Sequence, residues 1–154
     1  MRGTMSPKNG PDQEYARRLG VLLFAIQRKT IKANIKQVVG EDLRPGQAML
    51  LVELSQKGPK TMGDIANRTK IHPAVATRFL DRLVDKGLVE RTRDEEDRRI
   101  VRVSITDAGA RLAEQIIAAY TDRLSTALAG ASQKDRDTLL KTLQTVDDSF
   151  AEQE

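Results

Sequence analysis

The chain has 154 residues, 39% of them hydrophobic, 31% charged and 3% aromatic, with a net charge of +4. That length can bury a real core as one domain, or one domain with helical extensions, and the composition is that of a globular, soluble chain rather than a disordered one. The absence of Cys excludes disulfides, thiolate metal sites and a cysteine redox switch, and the single histidine, His72, argues against His-rich zinc sites and a Ser-His-Asp triad.

Residues 1–11 are expected to form a flexible N-terminus. From Asp12 to Val39, apolar residues at Tyr15, Leu19, Leu22, Leu23, Ile26, Ile31 and Ile35 predict a long amphipathic helix that ends at Gly40. Pro45, near a first helical position, opens a short helix with Leu50, Leu51 and Leu54 inward, and Gly58-Pro59 breaks it. Thr61 to Asp64 has the form of a capping box with Asp in place of Glu; it starts a helix that buries Ile65 and Ala66 and stops near Thr69-Lys70.

Pro73 sits in the first turn of the next helix. One of its sides carries Ala76, Phe79, Leu80, Leu83 and Val84, and the other carries Ala74, Val75, Arg78, Asp81, Arg82 and Asp85. Gly87 supplies a left-handed stop, with Leu88 packing back on Leu83. Leu88–Arg93 and Ile100–Ile105 read as the two strands of a hairpin, because Val101, Val103 and Ile105 alternate with Arg102 and Ser104. Thr106 is the N-cap of a long helix with Leu112, Ile116, Tyr120, Leu124 and Leu128 in a row. Gly130 breaks that helix, and Ser132 to Asp135 caps a last one bearing Leu139, Leu140, Leu143, Val146 and Phe150.

Two helices joined by a three- to four-residue turn and followed at once by a hairpin make a winged helix-turn-helix. The predicted fold is therefore mainly α with a small β-hairpin wing. Its DNA-binding lobe covers residues 40–106, and residues 12–39 and 107–154 form a helical dimerisation region.

The basic charge supports a polyanion partner. Residues 1–59 carry 10 basic and 5 acidic groups (net +5), residues 60–106 carry 11 and 8 (net +3), and residues 107–154 carry 5 and 9 (net −4). On the second helix of the motif, Val75, Arg78 and Arg82 face outward and suit a major groove, where arginine meets guanine O6 and N7 and a small apolar side chain meets a thymine methyl. His72, Ala74 and Thr77 lie at the same helix start and join the candidate DNA-binding set. At the hairpin end, Arg98 and Arg99 suit a narrow minor groove, and Asp97 would hold one guanidinium fork to fork. Asp94, Glu95 and Glu96 would be repelled by phosphate, so they are expected to point away from the duplex or to disorder. The plain alternative has Arg78 and Arg82 pairing with Asp81 and Asp85 on a solvated face, and Arg98 and Arg99 as ordinary turn charges. The acidic run at Asp94–Asp97 lacks the glycine and ligand spacing of a calcium loop, so no metal and no cofactor is expected.

The stretch Asp97-Arg-Arg-Ile-Val-Arg-Val-Ser-Ile-Thr106, followed by Gly109, resembles the DxRxxxVxLT wing signature of MarR/SlyA transcription regulators, with Ile105 where Leu is commoner. Leu80 to Arg91, LDRLVDKGLVER, resembles the end of that family's recognition helix and its first wing strand. The resemblance extends over roughly Asp12 to Phe150. It implies a homodimer with interleaved terminal helices that represses genes by binding a palindromic operator on double-stranded DNA. It points to Arg78 for base contact, Arg98 and Arg99 for the wing and Asp97 as their support. Lys70 stands where glycine is frequent, and His72-Pro73-Ala74 replaces a run of small hydroxyl residues, so the preferred DNA sequence is this chain's own.

Lys29, Lys32 and Lys36 share one face of the first helix, with Arg28 beside them. They read either as a solvated stripe or as candidate contacts for a small anionic aromatic effector in a pocket between the two lobes. No nucleophile–base constellation or Gly-rich phosphate loop supports an enzyme. A winged-helix module that binds a protein, without sequence-specific DNA binding, is the alternative function, and the acidic wing tip favours it. The first fifteen residues hold no apolar signal core and Val21–Ile26 is too short to span a bilayer, so the expected compartment is the cytoplasm, with no membrane partner.

Overall fold

The computed structural model describes residues 11–39, 43–69 and 73–151, with the backbone alone at 11, 12, 31–37, 39, 68, 69, 73, 74 and 151. The order is α1 (Pro11–Val39), α2 (Pro45–Lys57), β1 (Lys60–Thr61), α3 (Met62–Thr69), α4 (Pro73–Asp85), β2 (Val89–Arg93), β3 (Val101–Ile105), α5 (Asp107–Ala127) and α6 (Gln133–Ala151). This is a mainly helical winged-helix fold. The chain divides into two compact units, residues 1–120 and 121–154, with the boundary inside α5. The expected N-terminal segment 1–11 and the expected stop at Gly40 lie outside the described residues, except that Pro11 already belongs to α1.

In the first unit, one core gathers α2, α3, α4, the sheet and the start of α5. Leu51, Leu54, Leu80, Leu83 and Val103 are its largest apolar members with almost no exposed surface, and Ile65, Val89 and Ala113 complete it. A fully buried leucine contributes on the order of 2 kcal/mol through removal from water, so this cluster holds the lobe together. Among the described residues the buried polar side chain is Gln47, and both ends of its amide are used. Its Oε1 accepts from the Arg44 N–H at 3.0 Å, closing the N-terminus of α2, and its Nε2 donates to the Phe79 carbonyl in α4 at 2.8 Å. Burial of that amide without partners would cost about 1–3 kcal/mol; with them it locks α2 against α4.

The hairpin expectation is corrected in one respect: the sheet has three strands. Gly58, at φ 76°, turns the chain out of α2, and the next residues lie along β3 with Lys60 opposite Val103 and Thr61 opposite Arg102. The strand order is β1-β3-β2, all antiparallel, and Arg91 faces Val103 across the β2–β3 pair. Thr61 then serves as the N-cap of α3. Its hydroxyl accepts from the Asp64 N–H at 3.0 Å, and the Asp64 carboxylate accepts from the Thr61 N–H at 3.1 Å. Hydrogen bonding to the carboxylate by Thr61, from its hydroxyl first and its main-chain N–H second, holds the Asp64 carboxyl below its ordinary value.

α4 ends as the sequence predicts. Gly87 at φ 65° places its N–H on the Val84 carbonyl at 2.8 Å, and the Leu88 N–H reaches the Leu83 carbonyl at 2.9 Å. This is the two-bond glycine stop. The start of α5 is built on the same few residues. The Thr106 hydroxyl donates to the Gly87 carbonyl at 2.6 Å and accepts from the Gly109 N–H at 3.1 Å, while the Thr106 N–H donates to the Leu88 carbonyl at 3.1 Å. Gly109 is buried there, and a Cβ on it would stand 2.0 Å from the Leu88 carbonyl oxygen and 2.8 Å from the Ile105 side chain.

α1 and α6 contrast with that core. On α1, Val21, Leu22, Phe24 and Ile26 are exposed, and on α6 so are Leu139, Leu140, Leu143 and Phe150. Among the described residues, no helix is long and apolar enough to cross a membrane.

Gly109→Ala is expected to destabilise the protein by about 2–3 kcal/mol, because backbone rather than a flexible side chain must give way. Thermal denaturation followed by circular dichroism should show the melting temperature falling by roughly 5–10 °C.

Candidate nucleic-acid interface

α4 presents two faces, as its periodicity predicts. Ala76, Leu80 and Leu83 are buried, while Val75 is 52% exposed and Arg78 and Arg82 stand in solvent. At 1.5 Å per residue the helix is about 20 Å long, long enough to lie in a major groove. The expected alternative, in which Arg78 and Arg82 are absorbed by Asp81 and Asp85, is not what forms. Asp81 is taken from the other side: Arg91, on β2, donates from Nη1 to Asp81 Oδ1 at 2.7 Å and from Nη2 to the Thr77 carbonyl at 3.0 Å. Arg78 and Arg82 enter none of the ion pairs found among the described residues.

The wing tip is corrected too. The turn is ordered rather than open, and the Asp94 carboxylate organises it. Oδ1 accepts from the Glu96 N–H at 3.0 Å and the Asp97 N–H at 3.1 Å, and Oδ2 takes the Arg102 Nε–H from β3. The Asp97 N–H, the Arg102 guanidinium and the Glu96 N–H, in that order, hold the Asp94 carboxyl below its ordinary value of 3.8. Backbone bonds close the turn, with Asp94 N–H on the Ile100 carbonyl at 3.0 Å and Ile100 N–H on the Asp97 carbonyl at 2.9 Å. Glu95 and Glu96 remain exposed.

The fork-to-fork contact expected of Asp97 is absent among the described residues. Asp97 Oδ1 instead accepts the main-chain N–H of Arg99 at 2.9 Å. Asp97 therefore shapes the backbone that carries the arginines and leaves both guanidinium groups unengaged. Arg98 and Arg99 are exposed at the tip.

Of the remaining candidates, Thr77 has an exposed side chain on the outer part of α4, and its carbonyl is one of the Arg91 acceptors. His72 and the side chain of Ala74 lie outside the described residues. Lys29 is exposed on α1, and the side chains of Lys32 and Lys36 are outside the described residues. No group of three or more His, Cys, Asp or Glu side chains converges among the described residues.

Arg91 and Arg102, which engage Asp81 and Asp94, are the members of this surface to which sequence reasoning gave no role. A signal for Arg91 exists: it shares strand parity with the buried Val89 and stands opposite the buried Val103. A guanidinium on the inner face of a strand requires a partner.

Residues 43–101 match the family model described as MarR family. The chain is similar to the HTH-type transcriptional repressor MdtR of Bacillus subtilis (strain 168), at 33% identity over 100 residues, which is 65% of this chain and 62% of that protein. It spans about three fifths of the length of the curated relatives that it matches first. Its fold matches a MarR family protein from Bacillus stearothermophilus with TM-score 0.75 at 23% identity, covering 90% of this chain and 97% of that one. A mutant MarR from E.coli, solved in complex with operator DNA, matches with TM-score 0.63 at 26% identity, covering 84% of this chain and 93% of that one.

Because the Asp94 carboxyl is held below 3.8 in the folded turn, its stabilising effect is complete above the unfolded value and is lost as the pH falls through the lowered one. The amide proton shifts of Glu96 and Asp97, followed by NMR from pH 6 downward, should therefore titrate with a midpoint below that ordinary value. In Asp94→Ala the same amides should exchange with solvent faster by about tenfold or more, while the core melts unchanged.

Proposed function

From the match of residues 43–101 to the MarR family model we propose that the chain is a member of that family and a sequence-specific DNA-binding transcriptional regulator, a repressor, acting as a homodimer on a palindromic operator. The observation that carries this reading is the disposition of the arginines. Arg91 and Arg102 are bound by Asp81 and Asp94, whereas Arg78, Arg82, Arg98 and Arg99 are exposed on α4 and the wing tip. A reading helix with outward guanidinium groups beside a preformed basic loop suits a major groove and the adjoining minor groove. Arg78 contacts a base, Arg82 a phosphate, Val75 a thymine methyl, and Arg98 and Arg99 the minor groove. His72, Ala74 and Thr77 join them as contacts to the DNA. The repressor named among the curated relatives and the operator complex of E.coli MarR support the same reading.

Homodimer formation is supported by the apolar side chains that α1 and α6 leave in solvent, Phe24 at 69% and Phe150 at 64% exposure among them. Exposed apolar surface of this extent marks an interface. In the dimer, the two reading helices stand about 34 Å apart, one turn of DNA. An effector, small and anionic with an aromatic ring, meets Lys29, Lys32 and Lys36, binds the released form more tightly and so shifts the population away from DNA. The protein works in the cytoplasm and catalyses nothing. The second reading, a protein-binding winged helix, draws on Glu95 and Glu96, which remain outward at the wing tip.

Selection of the purified protein on a randomised duplex library at near-physiological salt tests the reading. A two-fold symmetric site with half-site centres about ten base pairs apart is expected. Affinity for it should fall steeply with added salt, since several phosphates are neutralised. Arg78→Ala should cost about 1–3 kcal/mol and relax the preference at one position of each half-site. Failure to enrich any sequence would favour the protein-binding module.

The effector has a separate test. A thermal-shift screen of anionic aromatic compounds should find one that stabilises the protein and releases the selected duplex, with Lys32→Ala weakening that release. No stabilisation by any compound, together with unchanged release in the variant, would remove the effector from the scheme.

A further inference from the structure

We propose that Arg91 is a positioning residue that fixes the wing to the reading helix, so that α4 and the wing tip engage one DNA site as a rigid pair; this rests on the DNA-binding reading above. The guanidinium spans two elements. It leaves β2 at the residue opposite Val103 and grips α4 at two points one helical turn apart, the Asp81 carboxylate at 2.7 Å and the Thr77 carbonyl at 3.0 Å. Two bonds from one planar fork to acceptors on a single helix define an angle as well as a distance.

Packing does not define that angle at the same place. Close to the hairpin root, Leu80 and Leu83 meet Val89 and Val103 in the core. Farther out, a hollow of about 410 Å³ opens between α3, α4 and the strands, with Thr77, Arg91 and Val101 among its lining residues. Side chains that do not touch cannot resist rotation of one element against the other. The wing tip amplifies any such rotation. Asp94 lies three residues beyond Arg91, about 10 Å along the strand, and Arg98 and Arg99 lie beyond that. A tilt of about ten degrees at Arg91 therefore moves the tip by about 2 Å, enough to take a guanidinium out of a narrow groove.

Fold stability alone gives little reason for this arginine. Its side chain is 27% exposed, its Asp81 partner is 47% exposed, and an ion pair that open to water contributes little. Its Nε is buried without a hydrogen-bond partner, a further cost that an aliphatic side chain would not carry. The bridge fits a geometric role better than a stabilising one.

The experiment is a double-mutant cycle on the full-length protein, with binding to the selected duplex read by fluorescence anisotropy and each variant's melting temperature recorded. Arg99→Ala should weaken wild-type binding about tenfold or more. Arg91→Met should weaken binding by a similar factor and flatten the salt dependence. In the Arg91→Met background, Arg99→Ala should add no more than about twofold, because the tip has already lost its register. Asp81→Ala removes the same bridge from the helix side, where alanine favours the helix, and should give the same coupling if Arg91→Met does not fold. A purely structural Arg91 would lower the melting temperature and leave Arg99→Ala costing its full factor in both backgrounds; that additivity would overturn the proposal while the DNA reading stood. Wild-type protein that binds no duplex would overturn the DNA reading itself, and the proposal with it.

Discussion

The lobe depends on one close approach, that of Gly109 to the main chain at Leu88. Four elements meet there: α4 ends at its glycine stop, β2 begins, β3 ends and α5 begins. Leu88 gives its N–H to α4 through Leu83 and its carbonyl to the Thr106 N–H, while the Thr106 hydroxyl bridges the Gly87 carbonyl and the Gly109 N–H. Each group is at once the end of one element and the cap of another, so none of these orphan donors or acceptors needs water. The missing side chain at Gly109 is what allows the distance. These bonds hold the hairpin root at both feet beside the end of α4, and the angle of the wing beyond that root is left to the Arg91 bridge.

A division of labour among the charges follows from that frame. Arginines whose strand positions bring them near α4 or the turn find carboxylates within the lobe, Arg91 with Asp81 and Arg102 with Asp94. The carboxylates so engaged are the ones that would otherwise neutralise outward arginines. Asp81 is the clear case: it lies on α4 between Arg78 and Arg82, and the pull of Arg91 leaves both with their charge directed to solvent. Asp97 acts in the same sense by accepting a backbone N–H rather than a guanidinium. A surface with net positive charge can thus arise from a segment that is nearly as rich in acid as in base.

Much of this was legible in the sequence because local rules sufficed. The Pro45 start, the Thr61–Asp64 box, the Gly87 stop and the Thr106 cap are each set within a few residues, and each forms as its residue types require. The alternation at Val101, Val103 and Ile105 placed the central strand. β1 was hidden because two residues have no periodicity; it exists only because Gly58 directs the chain along β3. The internal bonding of the acidic run was hidden for a different reason. Its charge says only that phosphate repels it, whereas Asp94 is turned back onto two amides and an arginine eight residues away. The partner of Asp97 was misread because its two adjacent arginines were the obvious candidates, whereas its carboxylate accepts a main-chain amide, and the partner of Asp81 comes from a strand ten residues away.

The helices outside the lobe obey the same physics with the opposite outcome. α1 has its apolar residues at helical spacing, yet Tyr15, Val21, Leu22, Phe24 and Ile26 lie open. Amphipathic helices owe most of their stability to the face they bury, so a helix with these apolar side chains in water is a poor end state for a single chain. α6 repeats the pattern with Leu139, Leu140 and Leu143. On the homodimer reading, this deficit is the driving force for association, and it separates two tasks physically. The lobe folds around its own leucine core and its Gly109 junction, so its reading surface is complete in one chain. On that reading the outer helices bury their exposed apolar side chains against a second copy, which would make the spacing between two reading surfaces a property of the apolar interface rather than of the charged one. The proposed effector, by altering that interface, would change DNA affinity without touching a single arginine.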